Sequence, residues 1–368
     1  MPVLRDNTTM NTQTYRLLDL FCGCGGISEG YALAGYHIAG GIDFNEDATK
    51  TFQHNFKDAT VFCMDISQFR NERIKEEYQD IDIIVGGPPC QGFSSANRWQ
   101  KEADDPRNKL FFQFLRFVEV LKPKAVMIEN VRGLLTRDKG YAKERIESLL
   151  DKMGYNVSMK VLCASDYGVP QDRHRAIIVG LKRRYKTDKR IFDFAQIPFV
   201  KKTTVFDAIG ELYEFENKRP ESIRLVSAPD TPLRAFYRRS DGLVPDHASI
   251  YPADKVQERI KYVPQGGNWQ DVPEALWSNL RNNRHSSAYR RLKEDEPSCT
   301  IDTGNAHSNY FHPIYNRIPS IRESARLQSF PDSFEFIGTR GSKYKQVGNA
   351  VPPLLAKAIA EQIKEYLK

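Results

Sequence analysis

Seven short apolar runs alternate with longer amphipathic stretches through the first half of this chain, and that alternation limits the fold more than any other feature. The runs are Arg16–Phe21, His37–Asp43, Thr60–Phe62, Ile81–Val85, Ala125–Ile128, Val157–Cys163 and Ala176–Leu181. Helical spacing falls between them, as in Ser28–Ala34, Glu46–Asn55, Asn108–Leu121 and Ala142–Met153. Repeats of this kind predict an α/β fold, with a Rossmann-like, mostly parallel sheet covered on both faces. Open sheets of that class place ligands beyond the carboxyl ends of their strands, so the residues following each run are the ones to read for chemistry.

The alternation breaks near residue 182. Residues 182–300 are rich in Pro, Arg, Lys and isolated aromatics, with no clean period. They predict a second, smaller and irregular domain. Pro353–Leu367 then places Leu354, Leu355, Ala358, Ile359, Ile363 and Leu367 near one helical face,. Such a helix would return to the first domain. The predicted boundaries are therefore 1–185, completed by 340–368, with 186–339 inserted. Of the net charge of +7, the 19 Lys and Arg against 14 Asp and Glu between residues 181 and 284 supply +5. That excess suits an anionic partner or an ordinary solvated surface.

Six cysteines, at 22, 24, 63, 90, 163 and 299, form no Cys-x-x-Cys pair. Neither a metal site nor a disulfide framework is expected, and a reducing compartment is. With no long apolar run and no signal-peptide pattern, the expectation is a soluble cytoplasmic protein without membrane association. The first dozen residues, polar and threonine-rich, read as a loose tail,.

Leu18 to Gly26 reads as a strand running into a glycine turn and then a helix. Gly23, Gly25 and Gly26 would let the backbone turn tightly and approach a ligand. Asp43 ends the next run and could accept from ribose hydroxyls. Asp65, with Ile66 beside it, ends the third and could meet an adenine amino group. Phe21 and Phe44 could sandwich the ring. No further glycine completes the dinucleotide pattern, which favours a single-nucleoside cofactor such as S-adenosylmethionine over NAD. A plain strand–helix connection is the other reading of the same turn.

Gly86-Gly87-Pro88-Pro89-Cys90-Gln91-Gly92-Phe93-Ser94 places one thiol on a shaped loop after the fourth run. If the substrate is a cytosine, its C5 is too poor a nucleophile to take a methyl group directly. A thiolate from Cys90 adding at C6 would cure that. Glu129 could supply the proton needed at N3, its pKa raised by burial. Asn130 could orient the loop. Arg173 and Arg175, two apart on an extended segment, could bind the ring O2 and a nearby phosphate, with His174 as surface charge. Each feature alone reads equally as structure: an incidental thiol, a helix cap, surface arginines.

Taken together, the chain resembles the DNA (cytosine-5)-methyltransferases of bacterial restriction–modification systems. The resemblance rests on Asp19-Leu20-Phe21 with its glycines, Gly87-Pro88-Pro89-Cys90-Gln91, Glu129-Asn130-Val131 and Gln171-Asp172-Arg173-His174-Arg175. Two later segments, Arg322–Pro331 and Gly348-Asn349-Ala350-Val351-Pro352-Pro353, extend it. It covers roughly residues 15–181 and 286–368, in the family's usual order. It implies Cys90 as nucleophile, Glu129 as the N3 partner and Arg175 on the cytosine. It also implies S-adenosylmethionine among Phe21, Asp43, Phe44, Asp65, Asn349 and Ala350, with Pro88 joining the cofactor set.

Duplex DNA is the implied partner, with the target base extruded from the helix. The polar, basic stretch after Cys90 would close over it, and Gln91, Ser94 and Arg98 are the contacts expected there. Arg183, Arg184, Arg234, Arg238 and Arg239, in the motif-free stretch 182–285, are the expected phosphate contacts. Gln265–Trp269 reads as a close-approach loop or a plain turn. A monomer suffices for the chemistry, and a paired restriction endonuclease follows only from family habit. A tRNA cytosine-5 methyltransferase and a catalytically silent DNA-binding regulator are the competing readings.

Overall fold

The structure, a computed structural model, describes residues 14–89, 108–218, 221–249, 251–277, 289–303 and 310–368. Strands β1 (Arg16–Leu20), β2 (His37–Asp43), β3 (Thr60–Cys63), β4 (Ile83–Gly86), β5 (Ala125–Val131), β6 (Tyr155–Cys163) and β7 (His174–Lys182) form one sheet. Their order is β3-β2-β1-β4-β5-β7-β6. The pairs β3–β2, β2–β1, β1–β4 and β4–β5 are parallel. β7 runs against both of its neighbours, pairing Arg175 with Val131 and Leu181 with Ala125. Its first residues therefore arrive at the carboxyl edge, where β1 to β5 end.

The strands are apolar on both sides because both faces are covered. Leu17, Ile83, Val85, Ala125, Met127, Ile177 and Val179 belong to one core cluster. Leu18, Leu20, Ile84, Val126, Ile128 and Ile178 belong to the other. This period-2 alternation sorts neighbouring residues onto opposite faces. Helices α1 (Gly26–Leu33) and α2 (Glu46–Asn55) pack on the first face. α3 (Asn71–Glu77), α4 (Lys109–Leu121) and α5 (Tyr141–Lys152) pack on the second. The Asn45 side chain accepts from the Ala48 N–H at 3.0 Å and starts α2,. α3 buries one residue, Ile74. It has no apolar period and escapes sequence analysis.

Beyond β7 the elements are short: α6 (Val205–Ile209), α7 (Pro232–Tyr237), α8 (Asp254–Ile260) and two pairs of two-residue strands. Gln265–Trp269 forms a turn, Gly266 donating to Arg291 O and Asn268 capping Gln270. α9 (Ile321–Leu327) opens on a capping box between Ser320 and Glu323,. α10 (Arg340–Asn349) and α11 (Pro353–Leu367) close the chain. α11 does return to the first domain. Gly30 of α1 sits so close that a Cβ there would lie 2.4 Å from Pro353 O and 2.5 Å from Ala356 Cβ. No helix among the described residues is long and apolar enough to cross a membrane.

Buried charge holds the segment before α9 and α9 itself in place. Arg317 donates to Glu216 (2.6 Å) and Glu323 (2.7 Å). Arg326 donates to Asp332 (2.6 Å) and Glu211 (2.8 Å). Burial alone would push the Glu323 carboxyl up, but Arg317 holds it well below the usual range. These pairs pin 211 and 216 to the 317–332 segment.

Candidate active site

Glu129 ends the buried part of β5, and Arg175 opens β7 beside it. Arg175 Nε donates to Glu129 Oε1 at 2.7 Å. Burial raises the Glu129 pKa, while Arg175 and then Arg173 pull it back. The result is a carboxyl whose proton is held less loosely than in water, next to a fixed guanidinium. Asn130 Nδ2 donates to Pro88 O at 2.9 Å and ties the strand to the loop leading to Cys90. Cys90 itself, with Gln91, Ser94 and Arg98, lies outside the described residues.

Two cavities meet at this carboxylate. One, about 610 Å³, is lined by Pro88, Asn130, Arg173, Arg175 and residues 300–303. The other, about 940 Å³, is lined by Phe21, Gly23, Gly26, Asp43, Phe44, Asp65, Ile66, Asn349 and Ala350. Gly87, Pro89, Glu129 and Asn349 line both.

The larger cavity fits a nucleoside. A Cβ on Gly23, at φ +52°, would meet nothing within 4 Å, so backbone is open to a ligand there. Asp43 takes N–H bonds from Gly23 and Asn45, both at 2.9 Å. These hold the carboxylate in place with lone pairs left for ribose hydroxyls. Phe44 is 78% exposed, a flat apolar surface at the rim. Asp65 caps the turn Ile66–Gln68, and the Ser67 N–H keeps its pKa low.

Two residues assigned to the cofactor lie elsewhere. Gly25 does not line the cavity. It opens α1 at φ +100°, and a Cβ would strike the Phe56 ring at 2.7 Å. Pro88 lines the smaller cavity instead.

Period-2 alternation along the lead-in to β7 explains the arginines. Gln171 and Arg173 are buried, while Asp172 and His174 are exposed. Arg173 does not offer its fork to a base or phosphate. Nη1 and Nη2 donate to Ile301 O and Gly348 O, both at 2.9 Å. Burial and the nearby Arg175 push its pKa down to about 9, still charged at neutrality. Arg173 fixes the walls, and Arg175 faces the smaller cavity.

Beneath them lies a glutamine pair. Gln171 Nε2 donates to Gln328 Oε1 at 2.5 Å, and Gln171 Oε1 accepts from Ile301 N at 3.0 Å. Gln328 Nε2 donates to Val347 O (2.8 Å) and Ala350 O (3.0 Å). Both cavities therefore hang on one buried network. Residues 300–303, Thr339 and the α10 residues Ser342 and Lys345 also line the cavities. No period or motif marked them. The parallel bridge between Gln171 and Ser298, with the bonds from Gln171 and Arg173 to Ile301, brings the 298–303 segment in.

The expected phosphate contacts are not at this site. Arg183 donates to Asn156 and Asp151, and Arg184 to Lys368 O. Both follow the end of β7, at the opposite edge of the sheet. Arg234 is held by Asp230, Arg238 by Glu211 and Arg239 by Glu335, at 2.8, 2.7 and 2.6 Å. Guanidinium groups already paired with carboxylates have little left to offer a phosphate.

The model of the C-5 cytosine-specific DNA methylase family matches residues 15–365. The Type II methyltransferase M.DdeI of Desulfomicrobium norvegicum is 34% identical over 96% of this chain and 89% of its own. M1.HphI of Haemophilus parahaemolyticus is 35% identical over 94% and 86%. The crystal structure of an E. coli prophage-encoded protein assigned as a DNA modification methyltransferase superposes with a TM-score of 0.75. It is 25% identical and covers 96% of this chain and 99% of that one.

Proposed function

The chain belongs to the C-5 cytosine-specific DNA methylase family, and from that premise we propose how its residues methylate cytosine C5 in a specific duplex sequence. The observation that carries the reading is the one carboxylate among the described residues, Glu129, that stands in the wall common to both cavities. One cavity suits a nucleoside cofactor and the other a flipped pyrimidine. S-adenosylmethionine, bound between Phe21, Asp43, Phe44, Asp65 and Asn349, would supply an electrophilic methyl group.

The remaining work falls to the chain. Cys90 as thiolate forms a bond to C6 of the extruded base. Glu129 gives its proton to N3, so the electron pair displaced from the C5–C6 double bond does not accumulate as charge. Arg175 holds the carboxyl in line and faces the ring oxygen. Asn130 orients the loop through Pro88. Once C5 carries the methyl group, water takes the C5 proton, the C5–C6 double bond re-forms, the S–C6 bond breaks to return the thiolate, and N3 gives its proton back to Glu129.

Residues 186–339 are the proposed target-recognition unit, inserted between 1–185 and 340–368. A monomer in the cytoplasm, paired with a restriction endonuclease, is the setting we infer. The tRNA and silent-regulator alternatives are not favoured by relatives that are Type II methyltransferases. Mapping 5-methylcytosines after incubation with a mixed-sequence DNA library tests the reading. One modified cytosine in one recurring sequence supports it, and an unmodified library refutes it. A duplex with 5-fluorocytosine at the mapped site should trap a covalent complex that Cys90→Ala does not form.

A further inference from the structure

β7 begins beside Glu129 and finishes at the far edge of the sheet. The seven steps from Arg175 to Lys182 span roughly 23 Å. At that far edge three segments converge. Lys182 N donates to Lys124 O at 2.8 Å, and Arg183 N to Gly154 O at 3.0 Å. Asn156 Nδ2 donates to the carbonyls of Asp188 and Arg190, both at 2.8 Å. Residues 122–124, 151–154 and 182–190 together carry nine Lys and Arg against two Asp.

Some of that charge is spent. Asp151 takes Arg183, Asp188 takes Arg190, and Asp82 takes Lys124 at 2.7 Å. Lys122, Lys152, Lys186 and Lys189 are exposed and pair with no carboxylate among the described residues. Tyr185, 64% exposed, stands among them. A cluster of like charges repels itself, so folding alone does not explain it.

We propose that this edge is a second polyanion surface, which holds backbone phosphates of a duplex DNA segment other than the one entering the catalytic cavities. The proposal rests on the reading of the chain as a duplex DNA methyltransferase. Exposed lysines on flexible stems suit diffuse, sequence-independent contact better than one small anion. DNA is the polyanion this family acts on. A long molecule engaged at the catalytic end also presents its flanks at high effective concentration.

The test is the triple variant Lys122→Glu/Lys186→Glu/Lys189→Glu, with the single variants Lys186→Ala and Lys189→Ala as milder companions. None touches the cavities. Binding to a kilobase duplex is measured as a function of salt, and methylation on that duplex and on a short one carrying the same site. Each phosphate contact contributes about 0.9 to the slope of log affinity against log salt. The triple variant should lose roughly 2 to 3 from the slope on the long duplex while its kcat/KM on the short duplex stays that of the parent. Each single variant should lose about 1. An unchanged slope on long DNA overturns the proposal, and so does an equal loss on the short duplex. Binding to anionic vesicles that the triple variant loses, with the DNA slope unchanged, assigns the edge to a membrane surface and also overturns it. If the parent methylates no duplex, the enzyme reading fails, and the slope still judges the edge.

Discussion

Gly26 is where the cofactor turn meets the closing segment of the chain. A Cβ there would sit 2.4 Å from Val351 O and 3.0 Å from Ala350 Cβ. Ordinary contact begins near 3.4 Å, so Gly26→Ala must drive the 349–351 backbone outward by about 1 Å. Overpacking of this kind costs about 1–3 kcal/mol. Gly30→Ala makes a matched control. Its Cβ would meet Pro353 O at the same 2.4 Å, at the α1–α11 contact but away from the cavity. Both variants should melt a few degrees below the parent. Only Gly26→Ala moves Asn349 and Ala350, which line the larger cavity. Its affinity for S-adenosylmethionine, by calorimetric titration, should fall about tenfold or more, the equivalent of 1.4 kcal/mol upward. Equal affinities in the two variants would refute the claim that the closing turn is set by this contact.

The other expectations are briefer. Glu129→Gln should lower kcat about 10²- to 10⁴-fold, as for other general acids, with cofactor affinity preserved in the same titration. Gln328→Leu strips donors from Val347 O and Ala350 O and takes one of the two acceptors of Gln171 Nε2, the other being Leu327 O. Buried groups left unpaired cost about 1–3 kcal/mol each, so urea unfolding and cofactor affinity should both weaken. Burial pushes the Asp19 carboxyl up to about 7, against an opposing bond from Ser28. Its contribution to stability is therefore full below about pH 4 and is lost as pH rises toward 7. Asp19→Asn should melt like the parent near pH 4 and progressively above it by pH 8. A constant difference across that range would contradict the buried-carboxyl argument. Arg238→Ala should cost stability through Glu211 yet leave the salt dependence of DNA binding unchanged, which a filter-binding series checks.

Where local signals and burial agree, the sequence is easily read. β2 and α2 form over the expected residues because Asn45 caps one just after the other ends. The α11 stripe likewise predicts its partner. Glu129 and Arg175 were identifiable from type and position, since strand ends leave few places for a carboxyl and a guanidinium to meet. The arginine roles were not. Composition counts charges without showing which carboxylate each one meets, so Arg183, Arg238 and Arg239 look free until the fold pairs them. Nor does a glycine reveal its face. Gly23 opens toward the cavity, while Gly25, two residues on, backs against Phe56. The antiparallel direction of β7 is also invisible locally, because nothing in its residues says which way its neighbours run.

The arginine–carboxylate pairs at Arg317 and Arg326 bear on how the proposed target-recognition unit could take on new target sequences. Deleting one member of a desolvated pair strands its mate and costs far more than surface change does. Glu211, Glu216 and residues 317–332 are thereby bound into a frame that tolerates little drift. The stretch from 221 to 310 is framed by that locked anchor on either side. Grafting a relative's intervening loops onto it, with all the paired residues retained, is the exchange most compatible with folding. Cuts that separate 211 or 216 from their arginine partners should yield insoluble chimaeras.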